Sequence, residues 1–167
     1  MWSDDILLGE RLHLLRMLFW AASSVLAGTA LLVFIARSRR GSALVRQFAL
    51  QTAIWGAVEL LLATWSYHAL ALRDVAGSAR LERAAWLWLG LYCGAVASGI
   101  TLAVAAWSYS DHGRIGVGGA EDATSSSSPA TASLLRSLSG IGAGIAIAVQ
   151  GLALAVLQLF LIAHLSR

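Results

Sequence analysis

The stretch QTAIWGAVELLLATWSYHAL, residues 51–70, decides the fold. Its 20 residues are apolar almost throughout, and a helix of about 20 residues at 1.5 Å per residue crosses a hydrocarbon core of about 30 Å. One acid, Glu59, lies near the midpoint. A charged group at that depth costs about 2.5–3.5 kcal/mol on insertion scales, so it normally faces a bundle interior and has a partner. On a helix Thr52, Trp55, Gly56, Glu59, Ala63 and Ser66 follow spacings of three and four and share one face. That face is small and polar, and the opposite one is Leu, Ile and Val. Two readings of Glu59 stand side by side. It is either a neutral, hydrogen-bonded lock on helix packing, or a proton, ion or ligand site.

Composition points the same way. The chain of 167 residues is 58% hydrophobic and 13% charged, with mean hydropathy +0.72, whereas soluble domains average about 25% charged. The length suits one compact unit. A net charge of +3, scattered along the chain, excludes a nucleic-acid-binding footprint. All 12 basic residues are Arg, a codon-bias signature that places the chain in a bacterial, GC-rich genome. Cys93 is the sole cysteine, so no intramolecular disulfide and no cysteine-based metal site is available. The acidic opening MWSDD argues against a cleaved signal peptide.

Working outward, residues 1–16 read as a lead-in helix that either lies in the interface or extends the first span, and the first span is Met17–Ala36, with Ala21, Ser24 and Gly28 as a stripe for close helix contact. The second span is Phe48–Leu70. A short polar connection, Ala71–Arg83, precedes the third span, Ala84–Trp107. There Gly90, Gly94 and Ser98 repeat every fourth residue, a ridge for close packing, and Trp86, Trp88 and Trp107 mark the membrane interfaces. The segment 111–133, rich in Gly and Ser and holding Pro129, reads as a flexible loop. Residues 134–167 carry the fourth span, Ser139–Leu165, with Gly144, Ala148, Gly151, Ala155 and Gln158 on one face. The expected fold is an all-α integral membrane four-helix bundle, with spans one to three inside residues 17–110.

The two halves look like duplicated helical hairpins. Val25, Gly28, Leu31 and Val33 match Val96, Gly99, Leu102 and Val104 at an offset of 71, and Ala57-Val58-Glu59 matches Ala148-Val149-Gln150 at an offset of 91. On that register Glu59 and Gln150 are equivalent and face each other across an axis along the membrane normal. Gln150, Tyr92 and Ser98 are then the expected hydrogen-bond partners of Glu59, with Trp55 beside them. The cluster Arg37–Gln47 carries four Arg. The positive-inside rule places it in the cytoplasm and both termini in the periplasm.

His13, His68 and His164 fall at one membrane side near helix ends. They are the candidate ligands for haem or a metal, though no pair has the i, i+4 spacing of a metal motif. No catalytic triad is legible, and no cofactor is expected. The segments AIWGAVELLLA (53–63), WLWLGLYCGAVASGITL (86–102) and GIGAGIAIAVQGLALAV (140–156) resemble an uncharacterised family of small four-span bacterial membrane proteins. The resemblance implies a four-helix membrane domain and no activity. Members tend to carry Asn or Asp within the spans, where this chain has Glu59, Tyr92, Gln150 and Gln158. The expected role is non-enzymatic, a structural or partner-binding subunit of an inner-membrane assembly, touching lipid and either membrane-protein partners or its own copies. The alternatives are a proton-linked transporter using Glu59 and a haem- or quinone-binding protein.

Overall fold

A computed structural model describes residues 2–38, 42–72, 74–115 and 129–166. Four helices follow one another: α1 (Trp2–Ser38), α2 (Ala43–His68), α3 (Val75–Ile115) and α4 (Pro129–Leu165). All four are long and apolar enough to cross a membrane. The chain is an all-α, multi-pass membrane protein, and four crossings return it to the side where it began. Gly9 of α1 lies against the His164 ring of α4 there.

The helices run further than hydropathy alone suggests. The lead-in at 1–16 is the first part of α1, with no break before Met17. α2 starts at Ala43, where the Ser42 hydroxyl accepts from the Val45 backbone N–H at 3.3 Å. α3 starts at Val75, because the Asp74 carboxylate accepts from Gly77 N–H at 2.7 Å and so satisfies a free end group. Most of the connection expected at 71–83 is therefore helix. The loop expected at 111–133 is also shorter: α3 continues to Ile115 and α4 opens on Pro129. Proline suits a first helical turn, where its missing N–H leaves no bond unmade. The rest of that loop, 116–128, lies outside the described residues, as do Arg39 and Arg40 of the Arg37–Gln47 cluster.

The interior is lined with small side chains and the outside with large ones. Ala21, Ala49 and Ala146 are wholly buried, whereas Phe19 is 77% and Trp65 80% exposed. Lipid supplies no hydrophobic drive between helices, so close van der Waals contact through small residues must hold them together. Polar side chains on the outer faces satisfy themselves within their own helix. Ser23, Thr29, Thr64 and Thr101 each donate to the carbonyl four residues back, at 2.6–2.8 Å.

Helices α1 and α2 form one tight hairpin and α3 and α4 another, and α4 joins them by packing along α2 and part of α1. Both hairpins use the same contacts. A Cβ on Gly28 would stand 2.7–2.8 Å from atoms of Ala49 and Ala53, and one on Gly99 would stand 2.6 Å from atoms of Gly144 and Ala148. Likewise Gly56 sits against Ala21 and Val25, and Gly151 against Tyr92 and Val96. The first helices thus correspond at an offset of 71, as the sequence match has it. The second helices correspond at 95, one helical turn beyond the 91 of the sequence match. A four-residue slip keeps the same helix face, so an Ala-Val match cannot detect it, whereas backbone contact at glycine can. On the corrected register Glu59 corresponds to Leu154, and Gln150 to Trp55.

The packing glycine of α3 also differs from the expected ridge. Gly90 and Gly94 have nothing within 4 Å of where a Cβ would lie. The contact face holds Tyr92, Val96, Gly99 and Ala103, rotated away from that ridge. Gly99→Ala is expected to push the α3 and α4 backbones apart and cost about 1–3 kcal/mol. Gly90→Ala and Gly94→Ala should be neutral or slightly stabilising, since Ala is the better helix former by about 1 kcal/mol. Thermal unfolding of the three variants in one detergent checks this. Equal losses at Gly94 and Gly99 would mean that α3 is packed on both faces.

Candidate functional site

Gly56 draws α2 onto α1, and Glu59 follows three residues later on the same buried face, between Gly56 and Ala63. Only 6% of Glu59 is exposed. Neither carboxylate oxygen is accessible, and neither has a hydrogen-bond partner among the described residues. This departs from the expected Glu59–Gln150 bond. The Gln150 side-chain oxygen instead accepts from the indole N–H of Trp20 at 2.7 Å, tying α4 to α1. Sequence reasoning missed Trp20, which sits in an apolar run where an indole reads as lipid-facing bulk.

That bond accounts for the shape of the site. On the register 71 and 95, Trp20 of α1 corresponds to Leu91 of α3, and Gln150 of α4 to Trp55 of α2. An indole–amide hydrogen bond bridges α1 and α4. Its counterpart between α3 and α2 has Leu91 opposite Trp55, which have no such bond to make. α3 packs along α4 and makes no extended backbone contact with α2 among the described residues. A cleft of about 700 Å³ remains.

The cleft gathers most of the residues singled out in the sequence. Trp55, Glu59, Tyr92, Ser98, Gln150 and Gln158 all line it. So do Gly90 and Gly94, whose missing side chains leave the space open. Trp88 stacks on Tyr92 with ring centroids 5.8 Å apart, forming one wall. α1 contributes Glu10, His13, Leu14 and Met17. No Arg lines the cleft. The lining is largely apolar with a few convergent polar groups, and the volume lies within the range of small-molecule sites.

The histidines separate. His13 is buried, and its Nδ1 has no partner among the described residues. His164 bonds the Asp5 carbonyl oxygen at 3.3 Å, and His68 is exposed at the end of α2. Among the described residues no three His, Cys, Asp or Glu side chains converge as a metal site. On the side of the bundle where α1 meets α4, Arg16 lies 5.8 Å over the Phe160 ring, a cation–π contact. No protein-family model, curated protein or solved structure matches this chain.

Gln150→Leu is expected to cost about 1–3 kcal/mol, because it strands the buried indole N–H of Trp20. Trp20→Phe combined with Gln150→Leu should cost less than the two single changes added together. A double-mutant cycle on unfolding midpoints reads this coupling. Additive losses would mean that the bond does not bridge α1 and α4.

Proposed function

We propose that this chain is a membrane-embedded binding protein, built to admit a small, largely apolar molecule from the bilayer into the α2–α3 cleft. One observation carries the reading: a 700 Å³ apolar cleft borders a buried carboxylate that the protein leaves without a donor. An unpaired buried polar group costs about 1–3 kcal/mol, and such groups in membranes usually mark substrate or ion pathways. A ligand held there and released on the other side makes the chain a carrier, with Glu59 as the group able to exchange a proton. The membrane is the bacterial inner membrane, with the 37–47 segment cytoplasmic and both termini periplasmic, on the strength of its four Arg.

A second reading draws on Gly90 and Gly94, whose unpacked faces suit a transmembrane helix of a partner subunit or of another copy. The two readings separate on volume. A cleft of this size holds a small molecule, whereas a spanning helix of about 20 residues would cover the ridge from outside.

Gly94→Leu fills the cleft without touching packed backbone, so it should fold normally and exclude the ligand. Mass spectrometry of small molecules retained by protein in native-lipid discs should find a species on the wild-type chain that Gly94→Leu lacks. Identical profiles, together with a protein partner lost from Gly94→Leu, would favour the subunit reading instead. Reporter fusions at Ser42 and at the C-terminus should report opposite sides of the membrane. A report of the same side from both would overturn the four-span topology.

A further inference from the structure

The chemistry of the cleft walls narrows the ligand. The carboxylates lining the cleft are Glu59 at depth and Glu10 toward the termini, where His13 stands near Glu10, and no Arg lines it. Glu59 is 94% removed from contact with the surroundings and has no donor. A carboxylate in that setting is satisfied by a positive or hydrogen-donating partner, and none bonds it among the described residues.

The walls beside it are aromatic. Trp55 and Trp88 line the cleft from opposite helices, and Tyr92 stacks on Trp88. Ring faces attract cations, Trp most strongly, and the attraction grows when water is excluded. Aliphatic surface from Val58, Leu62 and Leu91 completes the stretch. A neutral apolar molecule would match the aliphatic surface and leave Glu59 unanswered. An inorganic cation would match Glu59 and leave the rings and aliphatic groups unused. It would also lack ligands, since three acidic or imidazole groups do not converge among the described residues.

We infer that the α2–α3 cleft takes a lipophilic organic cation, its charge set against Glu59 and its apolar groups against Trp55, Trp88 and Leu91. This rests on the ligand-binding reading above and names the class of ligand. Entry is sideways: the cleft lies between two helices that do not close on each other, so a molecule dissolved in the bilayer reaches it without crossing water.

Three probes of similar shape and different charge test the inference: tetraphenylphosphonium, triphenylphosphine oxide and tetraphenylborate. Each is titrated into the full chain in lipid discs, with tryptophan emission as the readout, since Trp55 and Trp88 line the cleft. Tetraphenylphosphonium should bind saturably and at least tenfold more tightly than the neutral oxide, and tetraphenylborate should not compete. Glu59→Gln should lower phosphonium affinity at least tenfold and leave the oxide unchanged, and Glu59→Asp should restore part of the difference. Equal wild-type affinities for the phosphonium and the oxide, or a preference for the borate, would overturn the cationic class while leaving a ligand cleft. If no probe binds the wild type, or if all bind Gly94→Leu equally well, the cleft reading falls and this inference falls with it. The wild-type comparison decides the matter even if Glu59→Gln fails to fold.

Discussion

Backbone-to-backbone contact at glycine is the constraint on which the rest of the structure depends. Gly28 and Gly56 hold α1 to α2, and Gly99 and Gly151 hold α3 to α4. In a bilayer the solvent is as apolar as the side chains, so burying Leu against Leu gains little over leaving it in lipid. What favours association is the dense contact reached when two helices approach without side chains between them. The wholly buried alanines, and the absence of any large side chain among the most buried residues, follow from that rule. The large groups go outward because lipid accepts them.

Packing of this kind builds each hairpin and also helps join them, since Gly142 of α4 lies on the Leu44 backbone of α2. Helix α4 runs along α2 and meets α1. Where α1 meets α4, the Trp20–Gln150 hydrogen bond satisfies two polar groups that lipid would leave unsatisfied. At the corresponding place between α3 and α2 stand Leu91 and Trp55, and the helices stay apart. Two hairpins with matching internal contacts thus give a bundle with a hydrogen bond across one seam and none at the corresponding place across the other. The site is where the repeat fails to be symmetric.

Glu59 belongs to the same account. It is buried because Gly56 brings α2 against α1, and it borders the cleft because its helix face turns toward α3. A well-packed interior would give such a carboxylate a donor; the Gln150 oxygen accepts from Trp20, and the Gln150 amide N–H groups make no bond to Glu59 among the described residues.

The sequence by itself determined the helical class, the four crossings and the depth of Glu59, because length, apolarity and the cost of a charge in hydrocarbon are properties of single segments. The stripe Ala21–Ser24–Gly28 and the face Gly144–Gly151–Gln158 were legible for the same reason, as each lies on one helix. The tertiary structure alone decided which small residues are used. Gly90 and Gly94 carry the spacing of a packing ridge and face open space, and Gly99 carries the contact. It also set the register between the halves, since a slip of one turn preserves helix faces and alters only contacts across helices. The partner of Gln150 and the opening between α2 and α3 arise from which helices are neighbours, and periodicity within a helix holds no record of that.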